Sequence, residues 1–153
     1  MADGSGVEDP SDAKGKPKAK PKQLDERDAL LRKAIAQAGE GKNDEAVRTL
    51  EQLVAKRGDG YVPRMMLAKL LLDGPEPSAA VRHLEAAAGH HTEAIEPLVL
   101  LANLARKQGK VDDEKSRLRA ALAIDGDSLE PAARLLMLGI VTDDAAARDV
   151  ALA

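Results

Sequence analysis

Three histidines are the side chains in this chain best suited to metal or proton chemistry: His83, His90 and His91. Zinc takes three or four ligands with supporting groups behind them. Here His90-His91 falls in a connecting loop and His83 lies seven residues upstream on the preceding helix, with no acid placed to complete a set. The acidic runs Asp112-Asp113-Glu114 and Asp143-Asp144 open helices, where carboxylates offset the positive end of the helix dipole. Neither has the alternating oxygen ligands around a glycine that a calcium loop needs. Gly39-Glu40-Gly41-Lys42 lacks the spacing of a phosphate-binding loop. With no cysteine there is no thiol nucleophile, thiolate metal site or disulfide. No Ser–His–Asp set or paired carboxylates can be assembled, so no catalytic residue, metal site or cofactor is expected. The residues point away from an enzyme.

The remaining chemistry is that of a surface, and the elements that carry it are helices. Hydrophobic residues make up 44% of the 153, yet there is no Phe, no Trp and one Tyr. The core must therefore close with Ala, Leu, Val and Ile, and Ala and Leu favour helix over strand. No secretory signal is visible, and no stretch approaches the 18 apolar residues of a membrane span. Ala2 stands where N-myristoylation needs glycine. A cytoplasmic location is the expectation.

Charge divides the chain in two. Residues 1–23 carry five lysines and four acids, while the remainder has 18 basic and 22 acidic residues. The first segment, rich in Gly, Pro, Asp, Ser and Lys, is expected to be a disordered tail. Lys14, Lys16, Lys18, Lys20 and Lys22 alternate there with Gly, Pro and Ala. The expectation is a solubilising leader, with an electrostatic tether for an acidic protein, nucleic acid or anionic membrane as the alternative. From Leu24 the pattern is helical. We expect helices over about 25–38, with Asp25 as N-cap, then from Asn43 towards Gly58 and from Pro63 to Asp73. Further helices are expected from about Pro77 to Gly89, from Pro97 to Gly109, over 112–124 and from Glu130 to Ile140. Thr142 and two aspartates should cap a last short one.

A period of 34 residues runs through this body. Pro63, Pro97 and Pro131 are so spaced, as are Ala34, Ala68 and Ala102, and Leu50, Leu84 and Leu118. Ala46 recurs as Ala80, Leu53 as Ala87 and Ala121, and Gly41 as Gly109. A fixed period of this length marks a solenoid whose units stack into one core. The stretch Gly41-Lys-Asn-Asp-Glu-Ala46-Val-Arg-Thr-Leu50-Glu-Gln-Leu53, with Leu101-Ala102, Ala105 and Gly109, resembles the tetratricopeptide repeat (TPR) family. The departures are the missing aromatics, Glu114 in place of the small residue after the turn of the third unit, and Pro75 in place of the turn glycine of the second.

The resemblance implies an all-α solenoid of antiparallel helix pairs, about 3.5 repeats over 24–153, in units 27–60, 61–94, 95–128 and a partial 129–153. It also implies a concave groove lined by the first helix of each unit. Read at helical spacing, that face carries Asp28, Leu31, Ile35 and Ala38, then Val62, Met65, Lys69 and Leu72. It continues with Glu96, Val99, Asn103 and Arg106, and with Glu130, Ala133, Met137 and Ile140. This is an apolar floor with a basic and polar centre, suited to a peptide or amphipathic helix bearing one or two acids. The family's lysine-and-asparagine clamp for chaperone tails is absent, since Leu31, Ile35, Met66, Glu96 and Leu100 occupy its places.

The expected function is thus a non-enzymatic protein–protein interaction module, scaffold or adaptor. Two alternatives are an accessory factor recruited through its Lys-rich tail to nucleic acid or an anionic membrane, and a secretion-type chaperone. The apolar C-terminal end closes on Val150, Ala151, Leu152 and Ala153 in mid-unit. The first expectation from this is that the array continues with more repeats, and the alternative is self-association through that edge.

Overall fold

The computed structural model describes residues 21–56 and 60–153, all of whose regular elements are helical. Eight α-helices follow one another: α1 (Pro21–Gly39), α2 (Asn43–Lys56), α3 (Tyr61–Leu72), α4 (Val81–His90), α5 (Glu96–Lys107), α6 (Val111–Ile124), α7 (Leu129–Val141) and α8 (Ala145–Leu152). They pair as antiparallel hairpins that stack in chain order into a TPR-like solenoid. No described helix is long and apolar enough to cross a membrane.

Boundaries follow the local chemistry. Pro97 sits in the first turn of α5, where a missing N–H costs nothing. Asp144 caps α8 by accepting a hydrogen bond from the Ala147 N–H at 3.0 Å. The tight turns inside the first, third and fourth hairpins place one residue each in the left-handed region, Gly41, Gly109 and Asp143, at φ of 75°, 69° and 52°. These positions are 34 residues apart, with Pro75 at the omitted place. Proline cannot adopt that conformation, and the second hairpin instead turns through a 3-10 segment, Pro77–Ala80.

One boundary differs from expectation. Helix α1 begins at Pro21, so Asp25 lies inside the helix and does not cap it. Lys22 of the expected tail belongs to the same helix, because proline at the first position and the polar run behind it are compatible with helical backbone. Lys14, Lys16, Lys18 and Lys20 lie outside the described residues.

The core repeats one rule at each junction. Ala34 of α1, Leu50 and Leu53 of α2 and Leu67 of α3 form one buried cluster. Ala68, Leu84, Ala87 and Leu101 form the next, and Ala102, Leu118, Leu122 and Leu135 the third. In each, an alanine on a first helix leaves room for the leucine that the following unit inserts against a leucine of the second helix. Alanine at 0% exposure is what lets the backbones approach. This periodic packing explains how a chain almost without aromatics closes its core.

The convex back is laced with ion pairs between successive second helices. Arg82 of α4 meets Glu51 of α2 at 3.7 Å, and Arg117 of α6 meets Glu85 of α4 at 2.8 Å. Pairs this exposed contribute little individually. They leave the first helices to present a different surface.

Candidate partner-binding groove

The first helices carry most of the expected groove residues as partly or fully exposed side chains. Ile35, Val62 and Met137 are more than half exposed, Leu31, Leu72, Val99 and Asn103 are half-buried, and Lys69 and Arg106 are exposed. Met65 is a correction. It is only 4% exposed and shares a cluster with Ala80, Leu84 and Leu101. The irregular turn of the second hairpin packs its 3-10 segment against α3, which brings Ala80 into the cluster that holds Met65.

The two expected cations differ in what they can offer. Lys69 Nζ is 2.6 Å from Glu96 Oε1, and the Tyr61 hydroxyl donates to Glu96 Oε2 at 3.5 Å, so this lysine ties α3 to α5. Burial and the Glu96 carboxylate push the Tyr61 hydroxyl pKa up. Its ring stacks, tilted, on His91 at 4.6 Å. Arg106 has no ion-pair partner among the described residues. It stands between two clefts. One, of about 430 Å³, lies between α3 and α5 and is lined by Leu72, Leu100, Asn103 and Lys107. The other, of about 520 Å³, lies between α5 and α7 and is walled by Val111, Glu114, Ala133, Met137 and Leu138.

Behind the larger cleft is an ionic network that the periodic pattern did not reveal. Glu114, 4% exposed, occupies the place of the fully buried Ala46 and Ala80. Its carboxylate accepts a short hydrogen bond from Arg134 Nη2 of α7, and Arg134 Nη1 donates to Asn103 Oδ1 at 2.6 Å. Arg134 stands where earlier units have Met66 and Leu100, so one departure from the repeat is matched by another on the next helix. The Arg134 Nε is buried without a partner. Asn103, expected to face a ligand, is thus committed to holding Arg134.

Beside it, Lys115 donates to Asp144 at 3.0 Å and Arg119 donates to the same carboxylate at 3.0 Å. The Lys115 hydrogen bond and the Ala147 N–H hold the Asp144 carboxyl down at about 2, and the same bond raises the Lys115 pKa. The α5–α7 cleft therefore has a floor fixed by paired charges, an apolar wall, and one cation at its rim.

His83 does not join any site. It is buried on α4, its Nε2 accepts from Arg82 Nε at 3.1 Å, and burial, reinforced by Arg82 and Arg64, lowers its pKa to about 4. Among the described residues no group of three or more His, Cys, Asp or Glu is placed to hold a metal. The shift has a consequence for stability. The native state keeps the imidazole neutral, and the unfolded chain takes up its proton first, near pH 6.5. The stabilisation is complete above that pH and is lost as pH falls from about 6.5 towards 4. We expect roughly 2 kcal/mol less stability at pH 4.5 than at pH 7 from this residue, with His83→Leu flattening that part of the profile. Urea midpoints at the two pH values check this, and an unchanged difference in the variant would remove His83 as the cause.

No family model and no curated protein matches the chain. Solved structures do. The chain is similar to a MamA double mutant described as RS-1 ArsTM, with a TM-score of 0.66, 17% identity and coverage of 82% of this chain and 69% of that one. It is likewise similar to residues 41 to the end of MamA from Desulfovibrio magneticus RS-1, with a TM-score of 0.64, 17% identity and coverage of 82% and 70%. A third is the Yersinia enterocolitica type III secretion chaperone SycD in complex with a peptide of the translocator YopD, with a TM-score of 0.62, 14% identity and coverage of 86% and 94%. These likenesses establish the shared helical-repeat fold.

Proposed function

We propose that this chain is a non-catalytic protein-binding module that holds a partner segment along its first helices, with the α5–α7 cleft as the principal seat. The observation that carries the reading is the cleft itself. Its volume of about 520 Å³ accepts one or two large apolar side chains, and Arg106 at its mouth is exposed and without an ion-pair partner among the described residues. The segment that fits is a helix or extended peptide with Leu, Ile or Met next to an acid. The apolar group fills the space between Val111, Ala133 and Met137, and the acid meets Arg106. The buried Glu114–Arg134 pair keeps α7 at a fixed distance from α6, so the cleft is formed before the partner arrives. A likeness in fold to a chaperone solved with a translocator peptide supports the class of partner and not its identity.

Selection of 12-residue peptides displayed on phage tests the reading. The enriched set should place an acid within four residues of Leu, Ile or Met. Arg106→Glu and Met137→Asp should each weaken the selected peptide at least about tenfold, with helicity and melting temperature unchanged. Lys69→Glu should do much less, because Lys69 is occupied by Glu96. Full affinity in both the Arg106 and the Met137 variants would move binding away from this cleft.

A further inference from the structure

Of the ten large apolar side chains that are exposed among the described residues, six lie on α7 and α8: Leu129, Met137, Ile140, Val141, Val150 and Leu152. Leu152 makes the anomaly plain. It stands at the place of Leu50, Leu84 and Leu118, each fully buried against the leucine of a following helix, yet it is 70% exposed. Beside it Leu136 replaces the alanine of Ala34, Ala68 and Ala102. That alanine is what admits the next unit's leucine, so Leu136 holds off a helix approaching in the manner of α3, α5 or α7. The opposite end of the array is no match either. Helix α1 presents exposed Lys33 where Leu67, Leu101 and Leu135 sit, so head-to-tail stacking would set a lysine against Leu136 and Leu152.

One stripe of α7 consists of exposed Leu129, Ala133 and Ile140 with half-buried Leu136, at spacings of four, three and four, which put all four on one face. That series reads the same in both directions. Two such helices laid antiparallel about a two-fold axis set Leu129 against Ile140 of the second copy and Ala133 against its Leu136. Each small residue then faces a large one, the alternation by which helix surfaces interdigitate, and a two-fold contact uses one patch twice and closes. We propose that a second copy of this chain covers the α7–α8 edge through antiparallel α7–α7 packing, with Leu152 at the flank of the contact. The contact shares Ala133 with the α5–α7 cleft, whereas Leu129 and Ile140 do not line it, so variants at those two positions test the dimer without touching the groove.

The stripe is much smaller than the ~20–30 residues a side of a standard interface, so the dimer is expected to dissociate in the range of tens of micromolar. Sedimentation of the full chain from about 5 to about 500 µM should show a monomer–dimer equilibrium that stops at two. Leu129→Asp and Ile140→Asp, both at exposed positions, should each weaken it at least about tenfold. Ala133→Leu separates specific packing from mere stickiness, since it adds apolar surface but overfills the place opposite Leu136, and should weaken the dimer. The chain has no cysteine, so Leu129→Cys with Ile140→Cys should yield a covalent dimer on mild oxidation. Leu129→Cys alone should not, because eleven residues of helix, about 16 Å, separate the two copies of that position. A chain that stays monomeric throughout, species that grow beyond the dimer, or an Ala133→Leu variant that associates as well as the natural chain would each overturn the proposal.

Discussion

Glu114→Ala alone should lower the stability of the chain by about 3 kcal/mol, although alanine is the residue the repeat has at that place in Ala46 and Ala80. The loss comes from what is left behind. Arg134 is 15% exposed in its side chain and donates to Glu114, so removing the carboxylate strands a guanidinium that already has one unpartnered nitrogen. Glu130, 3.6 Å away and well exposed, compensates weakly. Changing both members, Glu114→Ala with Arg134→Leu, restores the pattern of Ala80 with Leu100 and should bring stability back to within about 1 kcal/mol of the natural chain or above it. Urea unfolding of the two single variants and the double variant gives the coupling directly. Additive losses would mean that the charges act separately and that the two departures from the repeat are unrelated.

Leu84→Ala should cost about 3 kcal/mol, while Leu152→Ala, at the equivalent place two units later, should cost less than about 0.5 kcal/mol. Leu84 is fully buried against Met65, Ala68 and Leu101, and truncation leaves a cavity that backbone-close alanines cannot fill. Leu152 has lost that environment, and what it contributes to folding of the single chain is correspondingly small. Thermal unfolding at a protein concentration below that of dimer formation makes the comparison clean. Equal costs would mean that α8 buries Leu152 as the earlier second helices bury Leu84.

The comparison also shows what was legible before the structure. The alanines and leucines at 34-residue spacing disclosed the stack, because each unit reuses one geometric rule and the rule writes the same residue each time. The ion pair was less accessible. Glu114 stood out as a departure, but its partner lies 20 residues away on another helix, and periodicity marks where a residue breaks the pattern without saying what answers it. A usable signal existed, since Arg134 departs from Met66 and Leu100 in the adjoining unit. Met65 failed for a related reason. Equal phase with Leu31, Val99 and Ala133 suggested equal exposure, but the turn through Pro75 and the 3-10 segment changes the neighbourhood of the second unit alone. Lys69 reads as a free cation in a list of groove residues, and only the folded chain brings Glu96 to within 2.6 Å of it.

The central claim is that partners are held by the first helices at the α5–α7 cleft. Amide and methyl NMR shift mapping with a phage-selected peptide tests it most directly. The account predicts the largest changes at Arg106, Val111, Ala133 and Met137, with the second-helix residues Glu51, Arg82 and Arg117 unmoved. Shifts centred on those second-helix residues, with the cleft silent, would contradict it.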